Sequence, residues 1–510
     1  MKKTELVIAI ALFLSIIPVQ ATDISGVTGN NGVYNITPEM MSGDVGFRQY
    51  ENFNLSEGDV ANLIFNKTTN GQNDKLESFV NLVNNKVDIN GILNTVRNGE
   101  YYNGNAIFIT PNGFTVGASG VLNVGSLSVA TPTIATYNRL LDEYSKEDLQ
   151  GINSQVPDLV HNSKGNAGAA DINIQGKILA RKGIDMSGKN VDVSGTIING
   201  VTTKDPSHWR YNDDYDVVIS SNQQAEQLFR SLVNSDGLMP RVQGDDEEFI
   251  DKFGNNGSQV YIKSTKGMNI SGVVDNGDGS LYLTNNGNKG LTVTGTIDSI
   301  KEAKLLNTSG DLKADDNAYI QGRYTGVNIT NSGKNLTLGE KTYVSSYKNI
   351  VITNNGSGKL TLSGYLLSGN EINNPYISNI TITNKGSGMT IGGHVINSDE
   401  SADLSELEIG KGNINITNYK GNLVLDGKIV NYSGDTNINN YGQNVIIKPD
   451  ADFENYDGRL IIKNYKNNNN TFTSTKTSKD LGFNKLTINV TKNYNSISYK
   501  NLHQNTKLQK

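Results

Sequence analysis

Residues 350–366 read IVITNNGSGKLTLSGYL. Ile350 and Ile352 share one side of a two-residue period with Val351 and Thr353 on the other, the run closes on Asn354, and a Gly-containing turn leads into an alternating run at 360–362. Alternation with a period of two marks a half-buried strand. Two such runs are either the arms of a hairpin or two sides of something that recurs, and the rest of the chain decides between these.

The first run recurs as LYLTN at 281–285, VNITN at 327–331, ITITN at 380–384, INITN at 414–418 and LIIKN at 460–464. The closing asparagines 285, 331, 354, 384, 418 and 464 are separated by 46, 23, 30, 34 and 46 residues, and TNINN, closing at Asn440, divides the last gap into 22 and 24. The second run recurs as an apolar-x-Gly-x-apolar step around Gly176, Gly195, Gly272, Gly295, Gly364, Gly393 and Gly427. Two strand types returning together every ~23 residues describe one coil of a β-solenoid, with two or three short strands per coil. Gly and Asn suit the corners because both tolerate left-handed backbone. Asparagines at one corner of successive coils can also stack, amide on amide, in a hydrogen-bonded ladder. A two-layer sandwich gives many strands, but seldom such similar ones at a fixed period. The reading is an all-β, right-handed parallel β-helix of roughly 20 coils, a rod on the order of 90–100 Å long at the usual strand spacing.

The 510 residues begin with Met1-Lys2-Lys3, an apolar Leu6–Ile17 and the small-residue site Val19-Gln20-Ala21, which together read as a signal peptide cleaved between Ala21 and Thr22. No later stretch is long or apolar enough to span a bilayer as a helix, so the mature chain is expected to be exported. It has no cysteine, so a large core or stacked backbone pairing has to hold it together. The absence of cross-links also suits a second, unfolded passage through a narrow pore. Formal charge is only −6, and basic residues are scattered, which excludes a nucleic-acid groove.

Three stretches break the repeat: 137–151 (YNRLLDEYSKEDLQG), 222–233 (NQQAEQLFRSLV) and 245–253 (DDEEFIDKF) read as short helical excursions from the coil. Residues 465–480 are polar and read as loose. The expected organisation is a signal peptide over 1–21, an N-terminal domain with a cap over 22–255, repeat coils over 256–480, and a terminal strand, cap or truncated end over 481–510.

One further stretch, IFITPNGFTVG at 107–117, looks like a hairpin, but Pro111 cannot adopt the positive φ that two-residue hairpin turns need. Thr110-Pro111-Asn112-Gly113 suits a type I turn, a corner that re-aims the strand. Residues 41–131 around it resemble the secretion domain of two-partner-secretion (TpsA) exoproteins, the family of filamentous haemagglutinin. The resemblance is carried by Gly46, Tyr50, Phe53 and Asn54, by Gly91-Ile92-Leu93, and by Thr110-Pro111-Asn112-Gly113, which stands where the family has Asn-Pro-Asn-Gly. It is carried further by the Gly-rich apolar run through Val116-Gly117-Ala118 and Asn123–Leu127. The family's Asn-Pro-Asn-Leu has a faint counterpart in Asn73-Asp74-Lys75-Leu76. The resemblance implies recognition by the POTRA domains of a TpsB outer-membrane barrel, passage outward, and coil-by-coil folding at the cell surface. The motif corner would act by fixing a turn rather than by touching the partner.

Enzymes also use β-helices, and their sites need carboxylates converging from adjacent coils. Asp275 with Asp278, and Asp311, Asp315 and Asp316, all read as ordinary turn residues. The histidines 161, 208, 394 and 503 lack metal-ligand spacing. His208-Trp209-Arg210-Tyr211 reads as a packed knot. Residues 273–280, VVDNGDGS, lack the Glu that closes a calcium loop. No catalytic, metal or cofactor site is expected. The expected function is a secreted or surface adhesin whose partners are the TpsB barrel and an unidentified host or bacterial receptor, glycans included. A polysaccharide-degrading enzyme on the same scaffold is the alternative. An autotransporter passenger would need a C-terminal run of barrel strands, and 380–510 continue the coils instead.

Overall fold

The computed structural model describes residues 21–69, 72–162, 164–200, 216–233, 258–369, 377–397, 412–432, 434–448, 450–455, 458–465, 472–474, 485–491 and 494–500. The predicted helix at 245–253, the 208–211 knot, His503 and residues 1–20 of the signal lie outside them, as does most of 465–480, apart from the strand Phe472–Ser474.

The chain is a parallel β-helix. Each coil contributes up to three strands, stacked in register on the coil before. First-face strands run from Val45–Tyr50 to Arg459–Asn464, fourteen of them among the described residues. Second-face strands such as Leu336–Leu338 and Lys359–Leu362 follow round a corner, and third-face strands such as Tyr343–Ser346 and Tyr365–Ser368 form a separate 15-stranded sheet. The first two faces make one 30-stranded sheet because Ile184–Val193 and Val260–Ile270 run unbroken round the corner between them. The described residues form fourteen coils against the roughly 20 expected of the chain, and the cap and the helical excursions consume chain that the repeat count had assigned to coils.

The asparagine ladder is present and longer than the sequence suggested. Asn285, Asn307, Asn331, Asn354, Asn384, Asn418 and Asn440 each donate from Nδ2 to the next one's Oδ1, at 2.6–3.0 Å, and the row ends on Asn464. Seven are completely buried and Asn464 nearly so. Asn307, at the end of EAKLLN, divides the first 46-residue gap into 22 and 24. At Asn354 every polar atom is used twice. Nδ2 also reaches the Gly358 carbonyl at 3.2 Å, and Oδ1 also accepts from the Gly356 N–H at 3.3 Å. Only an amide offers two donors and two acceptors in one plane; an Asp column would stack like charges at the coil spacing.

The glycine column marks the second corner for a different reason. A Cβ on Gly272 would lie 2.0 Å from the Gly195 carbonyl oxygen, one on Gly295 2.0 Å from that of Gly272, and one on Gly427 2.0 Å from that of Gly393. Their requirement is space between stacked coils, not positive φ.

In the later coils burial alternates, as in Asn349–Asn354, whose outward residues are half exposed. Early strands are buried on both sides: Val60–Ile64, Ile92–Arg97 and Asn105–Ile109. Their outer faces are covered by the helices. The excursion expected over 137–151 is in fact a helical hairpin, α1 (Ile134–Ser145) and α2 (Leu149–Val160). It breaks where Glu147 takes φ +57 and Asp148 caps the new N-terminus by accepting from the Gly151 N–H at 3.0 Å. Tyr137, Leu140, Ile152 and Leu159 pack on Phe47, Val80, Leu82 and Ile109 of the first face. Helix α3 (Asn222–Leu232), close to the predicted 222–233, lays Ala225, Leu228 and Phe229 on Val60, Ile92, Val121 and Ile198 of the third face.

Both ends of the stack are covered. Asp23–Ile24 pairs antiparallel with Phe53–Leu55, and Met40–Ser42 with Val45–Tyr50. At the other end Tyr494–Lys500 lies antiparallel on Arg459–Asn464 and on Lys485–Thr491, so the last first-face strand has a paired edge, the arrangement that blunts edge-to-edge association.

Replacing Asn354 by Ala takes one of two partners from the Asn331 Nδ2 and from the Asn384 Oδ1, and removes the side-chain acceptor of the Gly356 N–H. The expected cost is about 2–4 kcal/mol in urea unfolding. The exposed neighbour substitution Asn355→Ala should stay within about 0.5 kcal/mol.

Candidate functional site

The first coils assemble around an aromatic chain. Tyr50 meets Phe53 at 5.2 Å, Phe53 meets Phe108 at 5.3 Å, and Phe108 meets Phe114 at 5.5 Å between ring centroids. All four are buried. The Tyr50 hydroxyl donates to Asn81 Oδ1 at 2.8 Å. Burial holds that phenol well above its usual pKa. A Cβ on Gly46 would lie 2.9 Å from Pro38 and 3.0 Å from Leu76, so Gly46 is where the cap presses on the coil. Asn54 stands opposite Asp23 of the cap strand.

The 110–113 corner lies among these residues. Asn105–Ile109 and Phe114–Val116 do not pair with each other. The former pairs with Ser78–Val83 and Ser126–Ala130 on the first face, the latter with Val87–Ile89 and Ile172–Ile174 on the second. The stretch is therefore a corner between faces. Thr110 is buried, and its hydroxyl donates to the Asn85 carbonyl at 2.8 Å while accepting from the Asn112 N–H at 3.3 Å. Asn112 Nδ2 donates to the Asn84 carbonyl at 2.7 Å. Gly113 takes φ +104, and a Cβ there would meet the Asp171 carbonyl at 2.8 Å. Pro111 is buried and Asn112 exposed. Threonine in place of the family's first Asn thus does the turn's work with a hydroxyl. Tyr137 of α1 donates its own hydroxyl to Asn84 Oδ1 at 3.0 Å, so the helical hairpin is fastened to the same corner.

Asn73 and Leu76 separate. Asn73 lies in the strand Gln72–Lys75, which forms a small hairpin with Asn66–Thr69, while Leu76 is fully buried in the core. At the predicted cleavage point Ala21 is exposed. The Thr22 hydroxyl donates to Asp59 Oδ2 at 2.5 Å and accepts from the Ser56 N–H at 2.8 Å.

Two polar fastenings had no sequence signal. A second ladder, Asn35–Asn62–Asn94–Asn123, ends on the buried Arg181. The Arg181 Nη1 donates to Asn123 Oδ1 at 2.6 Å, and its guanidinium lies 4.2 Å from the Tyr101 ring centroid. Desolvation lowers the pKa of Arg181, against the pull of Tyr101 and Asp216. Asn94 and Asn123 also bond the backbone of Ile219 and Val217, which fixes the segment leading into α3. At the end of α2, His161 Nδ1 lies 2.6 Å from Asp185 Oδ2. Burial pushes the Asp185 carboxyl up to about 6, opposed by His161 and Lys263.

Of the carboxylates considered for catalysis, one is placed differently from expectation. Asp275 is not in a turn. It is the third residue of the strand Val273–Asn276, fully buried and in register with Asp298, because the β-branched pair before it continues the third face. Asp298 receives a two-pronged contact from Arg323, at 3.1 and 3.4 Å, and Asp278 accepts from Ser258. Asp311 bonds Asn335 at a corner, and Asp315 is held low, first by the Asp316 backbone N–H. Asp311, Asp315 and Asp316 thus keep the turn roles expected of them, and Asp316 itself takes φ +54. His394 stacks on Tyr365 at 4.4 Å. Among the described residues no group of three or more His, Cys, Asp or Glu is arranged to hold a metal ion, and no helix is long and apolar enough to cross a membrane.

No family model and no curated protein matches the chain. Among solved structures it is similar to the HMW1 secretion domain from Haemophilus influenzae. The likeness is at 12% identity, covers 86% of this chain and 99% of that one, and has a TM-score of 0.31. At that score it carries no functional argument, and the function has to be argued from the residues.

Thr110→Val strands the Asn85 carbonyl and the Asn112 N–H and should cost about 1–3 kcal/mol, read as an earlier urea midpoint. Asp185 binds its proton more tightly folded than unfolded, so its contribution to stability is full below pH 3.8 and is lost as pH rises towards 6. The melting temperature of Asp185→Asn relative to wild type should therefore rise between pH 4 and 7. A flat difference would show that the carboxyl titrates normally.

Proposed function

We propose that this chain is an exoprotein of a two-partner secretion system, delivered through a TpsB-type outer-membrane barrel and acting outside the cell as an adhesin, with a binding rather than a catalytic role. The observation that carries the reading is the coincidence of motif and keystone. Gly46, Tyr50, Phe53, Leu76 and Thr110–Gly113 are the pieces that resemble the secretion domain, and they are also the residues that close the first coils, the cap and the first corner on one another. A segment read by a periplasmic partner and then required to start the stack would concentrate its invariable geometry there.

The architecture suits such a route. Each coil pairs mainly with the one before it, so folding propagates along the chain without an external energy supply. With no cysteine, nothing cross-links the chain during threading. The signal at Ala21–Thr22 supplies the first step across the inner membrane.

The test is export of the full chain with and without a TpsB-type barrel of the same genome. The expected result is protein outside the cell only when the barrel is present, with the Pro111→Ala/Asn112→Ala double variant reduced several-fold. Equal export in both strains would remove the two-partner reading.

A further inference from the structure

Over five successive coils two adjacent outward columns of the first face carry no charge, although Asp435 ends the column beside them and Lys385 sits at the following corner. The two columns start at Asn328 and Thr330 and pass in register through Val351 and Thr353, then through the following three coils. They end at Asn437 and Asn439. Ten positions hold five threonines, four asparagines and one valine, all half exposed. Charge bounds the tract on either side, with Lys304 in the coil before Asn328 and Lys463 in the coil after Asn439. In the same coils charge sits elsewhere, as in Lys428 with Glu454 on the third face. With 19% of the chain charged, ten positions drawn at that frequency would hold about two charges, and these ten hold none. β-propensity explains threonine, but it does not explain why Asn replaces Lys here.

The geometry is a lattice. Coils repeat every ~4.8 Å, and the two columns are ~6.7 Å apart along each strand. Thr353, Thr381, Thr383 and Thr417 make no side-chain hydrogen bond to another described residue, in contrast to Thr330, whose hydroxyl donates to Asn328 at 3.0 Å. Their hydroxyls therefore face outward, each able to donate and to accept.

We propose that this tract, on the first face of residues 326–440, is a binding surface for an uncharged, extended polysaccharide. The inference deepens the adhesin reading and rests on it for its biological setting. An acidic glycan would call for Lys or Arg along the groove, and the tract has neither. A protein partner would want a buried aromatic or Arg anchor, and these ten positions offer none. A neutral glycan presents closely spaced hydroxyls that pair with hydroxyl and amide alike. The rise per ring of an extended hexose polymer is also of the same size as the coil spacing, so one ring can meet each rung without strain accumulating.

Purified full-length protein is sedimented with insoluble cellulose, mannan and β-1,3-glucan, and with calcium alginate gel as the acidic control, at low and high salt. Retention on at least one neutral polymer, undiminished by salt, is expected. Thr353→Lys/Thr383→Lys should lower retention about tenfold or more, because two unpaired charges would enter a dried contact. Thr353→Val/Thr383→Val, which keeps the shape and the fold, should weaken it through lost hydroxyls. His394→Lys on the third face should leave it unchanged. Retention only on alginate, retention that high salt abolishes, retention equal in both threonine variants, or inhibition of ice growth without any glycan retention would each overturn the proposal. Because the protein is assayed purified, failure of barrel-dependent export leaves this result standing, and the reverse holds as well.

Discussion

Everything in this molecule follows from stacking parallel backbone at a fixed spacing of ~4.8 Å. At that distance a side chain at one corner meets its own counterpart in the next coil, so each position is chosen for compatibility with itself. Amides satisfy the condition by passing one hydrogen bond along the row, from Asn285 through Asn464. At the glycine corner the carbonyl of one coil occupies the space a methyl would need in the next. Tyr441 and Tyr465 meet it by lying parallel at 4.5 Å. Apolar side chains meet it by forming one continuous core along the axis.

The same self-consistency explains what was legible in the sequence. Columns of like residues print themselves as a period, so the strands, both corners and the ladder could be read directly. Asn307 escaped because its strand ends LLN rather than TN, although its place in the row is identical. The Asn35–Asn123 ladder escaped because its strands are apolar on both sides and hide the alternation. That double-sided apolarity, in VANLI and NAIFI, was itself the signal that something covers these faces, and the helices are the answer. Asp275 was misread because DNGDG looks like turn chemistry, whereas the preceding valines carry the strand one residue pair further. The His161–Asp185 contact joins an excursion to a coil, and no period records such a contact.

At the candidate site, sequence located the corner, and structure supplied its wiring. Thr110, Asn84, Asn85, Asn112 and Tyr137 form one connected set, so the turn, the neighbouring coil and the helical cover are mechanically one unit. Within the fold the corner is a foundation stone, with Thr110 buried and Asn112 reaching solvent.

The ladder spacing carries a last consequence. Successive ladder asparagines are 22 to 34 residues apart, yet the 30- and 34-residue steps keep the same 2.8 Å bond as a 22-residue one. The ladder bond is therefore indifferent to how many residues separate its partners. Sequence length in this protein can change in two independent currencies: whole rungs, which lengthen the rod, and side loops of any size, which decorate it. A lineage can revise the decoration at one level of the rod while the neighbouring levels stay unaltered.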